Sequence, residues 1–226
     1  MKYPEDFLNK IICGDCLEIM KEMPDKCVDL VLTDPPYGIK MDKAIKSKVG
    51  INSFGKLHTN ANYHEEEWDD KIPCGEIFDQ IFRISKNQII CGGNYFTEYL
   101  RPTNSWIFWD KKVSIEEGDT CFSDGELIWT SLKFALKKFT YGWIGFDYIN
   151  NPQKDRKQHP TQKPLELIKY LIDNFSKESD LILDPFLGSG TTARACKDLK
   201  RNFIGIEISP KYVEIARQRL RQDILL

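Results

Sequence analysis

The chain is short of most features that assign a protein at a glance. No apolar run approaches the roughly 20 residues needed to span a membrane, and the opening Met1-Lys2-Tyr3-Pro4 stretch carries no apolar core of the kind that marks an export signal. A cytoplasmic protein with no membrane partner is expected. Histidine is scarce: His58, His64 and His159 are the three present, and their spacing makes no zinc site, so no metal is expected. Strict Gly-x-Gly-x-x-Gly is absent, and so is Gly-Lys followed by Ser or Thr, which argues against a phosphate loop. An excess of one charge is missing too. The net charge is −2, so any attraction for nucleic acid has to come from local patches. The seven cysteines are an odd number without an export signal, which suits reduced thiols packed as small core residues. Cys13-Gly14-Asp15-Cys16 has redox spacing, but it lacks the intervening proline and the setting of a thioredoxin-like motif.

What is present is an alternation. With 226 residues the chain is long enough for one α/β domain with a sizeable core. Strand-length apolar runs at 9–14, 26–33, 88–93, 105–109, 124–130, 180–183 and 202–206 are interleaved with helical spacing at 16–23, 73–84, 94–100, 165–175, 193–199 and 210–221. This pattern predicts an α/β fold, a doubly wound and mainly parallel sheet, in a single catalytic domain over 1–226. Two segments interrupt it. Residues 38–62 lack apolar periodicity and carry Lys40, Lys43, Lys46 and Lys48, which suits a basic flap that clamps phosphates or a solvated loop. Residues 132–158 interleave Lys137, Lys138, Arg156 and Lys157 with Phe134, Phe139, Tyr141 and Trp143. That mixture suits phosphates and stacked bases, or an irregular hairpin whose aromatics join the core.

Three motifs carry chemistry. Asp34-Pro35-Pro36-Tyr37 follows a strand, at the end where open α/β sheets bind ligands. Two prolines stop helix and sheet alike, leaving a stiff turn with a carboxylate, carbonyls and a ring. Second, Asp184-Pro185-Phe186-Leu187-Gly188-Ser189-Gly190-Thr191-Thr192 joins a buried strand to a helix, and Glu207 ends the following strand. The glycines allow a ligand close to the backbone, and an acid about 20 residues on can accept from ribose hydroxyls. An acid at the first strand end, Asp184, argues against pyrophosphate and for a cationic ligand. S-adenosylmethionine fits this pattern, with NAD as the alternative. Third, His159-Pro160-Thr161-Gln162-Lys163-Pro164 precedes a helix, where Thr161 or Gln162, with Lys163, can meet a carboxylate.

These motifs, in this order and over nearly the whole chain, resemble the bacterial amino-methyltransferases of DNA in their permuted β-class arrangement. Trp68-Asp69 and Glu126-Leu127-Ile128-Trp129 are similar to further landmarks of that family. The resemblance implies a Rossmann-like, seven-stranded-type methyltransferase fold with S-adenosylmethionine as cofactor. It implies that Asp15 and Cys16 lie at the adenine end of the cofactor and that Glu207 holds the ribose. Phe186, Gly188, Ser189, Gly190, Thr191 and Thr192 would wrap the methionine part, close to Asp34, which would accept from the target amine. Tyr37 would stack on a base flipped from double-stranded DNA. The Asp that heads the motif points to adenine N6; cytosine N4 and an inactive DNA-binding subunit are the alternatives. C5 methylation would need a nucleophilic Cys, for which only Pro73-Cys74 is a partial match. The resemblance also allows a homodimer and a cognate restriction endonuclease in the same system.

Overall fold

Val28–Thr33 is a strand with almost no exposed side chain, and its apolar residues are buried whichever face they point to. Such a strand needs helices on both sides of its sheet. The structure, a computed structural model, describes residues 1–39, 72–111, 123–143 and 162–221. In chain order the elements are β1 (Lys10–Cys13), α1 (Cys16–Lys21), β2 (Val28–Thr33), α2 (Gly75–Ile84), β3 (Ser85–Cys91), β4 (Trp106–Asp110), β5 (Gly125–Thr130), β6 (Lys137–Thr140), α3 (Leu165–Phe175), β7 (Leu181–Asp184), α4 (Thr191–Asp198), β8 (Asn202–Glu207) and α5 (Pro210–Arg221). The strands form one sheet in the order β1-β8-β7-β2-β3-β5-β4-β6. Pairing is parallel from β1 to β3; β5 runs against both β3 and β4; β6 is parallel to β4.

Alternation along the strands divides the core into two layers. Leu30, Leu32 and Ile182 pack with Ile168, Leu171 and Ile172 of α3, Ala195 of α4 and Val213 and Ala216 of α5. Val31, Leu183, Ile204 and Ile206 pack on the other side with Ile19 and Met20 of α1 and Ile81 and Ile84 of α2. Each fully buried side chain of this kind contributes about 1.5–3 kcal/mol of transfer free energy.

The connections place the site. From β2 the chain crosses to β3 through α2 on one face; from β7 it crosses to β8 through α4 on the opposite face and in the opposite direction. The direction reverses between β2 and β7, which are hydrogen-bonded neighbours. That is the switch point of a doubly wound sheet, and the crevice lies outside its C-terminal edge. The C-terminal glycine-turn unit is thereby brought against the N-terminal Asp34 strand.

Two expectations are corrected. The helix expected at 94–100 is only a 3-10 turn, Gly93–Tyr95. Phe96 is drawn into a cluster with Phe78, Ile90 and Trp129, and so short a segment does not sustain a helix against that pull. Segment 132–158, read as a short target-recognition stretch or an irregular hairpin, supplies an eighth strand at Lys137–Thr140. Two adjacent exposed lysines hide its alternation, and charge of this kind suits an edge strand.

Candidate active site

Four acids stand at the tips of four adjacent parallel strands: Asp15 just after β1, Glu207 ending β8, Asp184 ending β7 and Asp34 just after β2. The centre of this row is bonded across the switch point, where Thr33 Oγ1 donates to Asp184 Oδ1 at 2.8 Å.

Asp34 is closely surrounded. Lys163 Nζ donates to its Oδ2 at 2.6 Å, and the Tyr37 hydroxyl donates to its Oδ1 at 2.6 Å. Lys163 Nζ also lies 3.3 Å from Glu126 Oε2 and 3.2 Å from the Tyr37 oxygen. Lys111 Nζ holds the other Glu126 oxygen at 2.7 Å. Two carboxylates and two ammoniums are thus clustered, with the Lys163 side chain only 8% exposed. Burial pushes the Asp34 carboxyl up, against the Lys163 charge. Burial acts the same way on Glu126, but Lys163 and Lys111 together outweigh it and hold Glu126 low. Burial opposes the Lys163 charge, yet Asp34 and then Glu126 outweigh it and hold the ammonium above its ordinary value. The Tyr37 ring is stacked on Tyr95, with centroids 4.6 Å apart and planes at 13°. A Cβ at Gly92 would sit 2.3 Å from that ring, so the glycine at the end of β3 makes room for the tyrosine.

The glycine turn is built beside this cluster. Glu207 Oε2 accepts from the Gly188 N–H at 2.7 Å and Oε1 from the Ser209 N–H at 2.9 Å. Gly188 has φ +54, and a Cβ there would meet no atom of the described residues within 4 Å, so the turn presents bare backbone on that side. This is a cradle in which a ligand lies directly on the chain. Arg219 of α5 clamps the turn from behind, donating to Ser189 O at 2.8 Å, Ser189 Oγ at 3.0 Å and Thr191 Oγ1 at 3.1 Å. Ser189 Oγ in turn donates to Gln162 Oε1 at 3.0 Å, tying the turn to the segment that carries Lys163.

The structure sorts the expected site residues. Asp34, Pro35, Pro36 and Tyr37 meet Phe186, Gly188, Ser189, Gly190, Thr191, Thr192 and Glu207 along one sheet edge. Asp184, expected beside a cationic ligand, is engaged by donors of the chain itself. Its carboxylate is buried and accepts from Thr33, from the Phe186 N–H at 3.1 Å and from Thr192 Oγ1 at 2.6 Å; burial pushes it up to about 6 despite these bonds. Its place is to brace the turn. Asp15 caps α1 by accepting from the Leu17 N–H at 2.7 Å. The Cys16 thiol is buried in the α1 layer, and burial pushes it up to about 12. Lys163, expected at a ligand carboxylate, is bonded to Asp34 instead. Lys137 and Lys138 are exposed on β6, with Lys138 2.7 Å from Asp110. Phe134 and Phe139, two of the aromatics read for base stacking, lie on Phe175 and Tyr170 of α3. Thr161, Lys40, Lys43, Lys46, Lys48, Arg156, Lys157 and the Trp68-Asp69 landmark lie outside the described residues.

The sequence motifs do not mark Lys111, Arg219 or Tyr95 as site residues; they mark Glu126 only within a family landmark and Gln162 only as an alternative to Thr161 at a ligand carboxylate. Glu126 opens β5, and because β5 is antiparallel its first residues reach the edge where the parallel strands end. Tyr95 had a signal in the sequence, since it follows the glycine pair that ends β3.

An open sheet with this switch point, a glycine turn against bare space and an acid ending the next strand defines a Rossmann-like methyltransferase fold. Residues 93–218 match the family model described as DNA methylase, the N6 and N4 enzymes. The chain is 30% identical over 258 aligned positions to the Type II methyltransferase M.HinfI of Haemophilus influenzae, with 96% of this chain and 69% of that protein covered. It is 29% identical to M.HpaI of Haemophilus parainfluenzae, with 95% and 74% covered. The chain belongs to the N6/N4 DNA methylase family. Among solved structures it shares the fold of M1.HpyAVI in complex with SAM (23% identity, TM-score 0.59, 94% of this chain and 99% of that one). It also shares that of the cytosine-N4-specific PvuII DNA methyltransferase (16% identity, TM-score 0.60, 96% and 87%). The same fold therefore hosts N4 chemistry.

Proposed function

We propose that this chain transfers a methyl group from S-adenosylmethionine to the N6 amino group of an adenine flipped out of double-stranded DNA. The observation that carries the reading is the Asp34 carboxylate, held on a double-proline turn at the switch point, one strand away from the glycine cradle. The cradle fits the cofactor: Gly188 offers bare backbone, and Glu207, at the end of the next strand, is a carboxylate of the kind that accepts from ribose hydroxyls. S-adenosylmethionine, when bound, supplies an electrophilic methyl group, and the C–S electron pair leaves with the sulfur.

The protein's part follows from Asp34. An exocyclic amine is a poor nucleophile because its lone pair is delocalised into the ring. Accepting one N–H at Asp34 Oδ1 and the other at the Pro35 carbonyl favours a pyramidal nitrogen with its lone pair out of conjugation. Positioning and electrostatics then do most of the work, without a covalent enzyme intermediate. As the N–C bond forms the amine becomes cationic, and the proton it sheds passes through Asp34 Oδ1 to water. The base has to leave the duplex to reach this depth. Its stacking face is Tyr37, worth roughly 1–3 kcal/mol by analogy with other base–aromatic contacts. The Asp that heads the motif supports adenine over cytosine, and the Type II relatives support a restriction–modification setting.

The test is transfer from methyl-labelled S-adenosylmethionine to duplex DNA, followed by mass spectrometry of the nucleosides. N6-methyl-2′-deoxyadenosine is expected. N4-methylcytosine would replace the base assignment. A protein that binds S-adenosylmethionine yet labels no nucleoside in DNA would overturn the reading. Asp34→Ala should abolish transfer while cofactor binding persists.

A further inference from the structure

Asp34 and Tyr37 have roles in the reading above, but the charged pair packed against them does not. We propose that Lys163, itself fixed by Glu126, is a positioning residue that turns the Asp34 carboxylate toward the target amine. The inference rests on the amino-methyltransferase reading.

The geometry carries it. Lys163 Nζ occupies Asp34 Oδ2 at 2.6 Å, which leaves Oδ1 as the oxygen for an incoming N–H donor. That oxygen now accepts from the Tyr37 hydroxyl at 2.6 Å, a neutral donor standing where the amine would stand. A base entering the site exchanges one donor for another, while the Lys163 bond keeps the carboxylate plane fixed. Lys163 cannot readily turn elsewhere. Its side chain is 8% exposed, and Glu126 Oε2 at 3.3 Å is a second anchor. Glu126 is anchored in turn by Lys111 at 2.7 Å. A buried ammonium with three oxygen partners at 2.6–3.3 Å is a fixed strut rather than a mobile surface cation.

Charge acts in the same direction. The groups facing Asp34 are Tyr37 on its own turn, Lys163 from the segment before α3, Glu126 from β5, Cys91 from the end of β3 and Asp184 from β7, with Lys111 behind Glu126. Lys163 is the one cation among these that touches Asp34; burial and the neighbouring carboxylates all favour the protonated acid. A protonated Asp34 could not take the proton shed by the methylated amine. Lys163 therefore orients Asp34 and favours its ionised form, whereas a cofactor-carboxylate ligand would act on binding alone.

The experiment compares wild type with Lys163→Met, Lys163→Gln and Lys163→Arg. Three quantities are read: the titration midpoint of the Asp34 carboxyl by carbon-13 NMR, S-adenosylmethionine affinity by calorimetry, and single-turnover transfer against pH. Loss of an adjacent opposite charge should raise the Asp34 midpoint by about 1–3 pH units in the Met and Gln variants. Transfer near neutrality should fall about tenfold for each unit by which the new midpoint exceeds the assay pH, and recover as pH rises through that midpoint. Lys163→Arg should keep the midpoint near its wild-type position, and cofactor affinity should stay close to wild type throughout. Gln keeps a polar group in the pocket, so it answers the question even if Met impairs folding. Cofactor affinity that falls in step with rate, with an unmoved Asp34 midpoint, would overturn the proposal and return Lys163 to the cofactor. An Arg variant that titrates like Met would also overturn it. The NMR titration needs no turnover, so a wild type inactive on DNA would sink the methyltransferase reading while the Lys163–Asp34 linkage was still decided.

Discussion

Asp184 shows what a single buried carboxylate does in this fold. It accepts three hydrogen bonds, from Thr33 on β2, Thr192 on α4 and the Phe186 N–H, and so pins the switch point shut. Its carboxyl is pushed by burial from the usual 3.8 to about 6. The folded state therefore binds more protons than the unfolded chain between about pH 4 and 6, and stability falls as pH rises through that window. Asp184→Asn removes the titration and keeps two of the three bonds on its carbonyl oxygen. Relative to this variant, wild type should lose stability between pH 4 and 6, by at most about 3 kcal/mol. Urea unfolding of both proteins at pH 4, 5, 6 and 7 checks it. Parallel curves would mean that Asp184 is ionised in the fold throughout.

At the scale of elements, the glycine turn between β7 and α4 separates a folding requirement from a binding requirement. Gly188 and Gly190 both have positive φ, at +54 and +86, so a side chain strains either position. They differ in what lies beyond. A Cβ on Gly190 would be 2.7 Å from the Ala216 Cβ of α5, whereas one on Gly188 meets nothing within 4 Å among the described residues. Gly190→Ala should therefore cost about 2 kcal/mol or more of stability as α5 is pushed off. Gly188→Ala should cost about 1 kcal/mol and weaken cofactor binding out of proportion to that loss. Urea midpoints together with calorimetric titration distinguish the two; equal effects on both readouts would dissolve the distinction. The same turn shows what was legible in the sequence. Its glycines and Glu207 could be read because ligand approach demands those residue types at that spacing. Helices α3 and α5 could be read to the residue because Pro164 and Pro210 punctuate their starts. Strand β6 could not, because consecutive lysines mask a period of two. Glu126 could not, because periodicity marks a strand but not its direction, and only the reversal of β5 delivers that carboxylate to the site. Lys163 was visible as a cation on a turn, but its partner Asp34 lies in a different motif far up the chain, and only the tertiary fold pairs them.

For the whole molecule the question is how a chain of net charge −2 holds a polyanion. The C-terminal edge of the sheet does not supply the attraction by itself. Asp15, Asp34, Asp184 and Glu207 line it, and Lys163 and Lys111 are already engaged with Asp34 and Glu126. Among the described residues, Lys133, Lys137 and Lys138 are exposed around edge strand β6, at the opposite side of the sheet from β1. The bond from Lys138 to Asp110 does not remove it from consideration, because the lysine is 61% exposed and exposed pairs of this kind contribute about 0–1 kcal/mol. Phosphates should therefore sit over the β5-β4-β6 side, and the flipped base should enter past Tyr95, which is 43% exposed where it stacks on Tyr37. Changing Lys137 and Lys138 together to Gln should weaken DNA binding and lower the slope of log affinity against log salt by up to about 1.8, or about 0.9 for each phosphate no longer neutralised. S-adenosylmethionine affinity should not change. Lys10→Gln, on the edge formed by β1, serves as the control and should leave the slope untouched. The measurement is DNA binding by fluorescence anisotropy over a salt series. A slope that falls for Lys10→Gln and not for the double variant would put the duplex on the β1 side, and the base would then have to approach Asp34 across the cofactor cradle instead of across Tyr95.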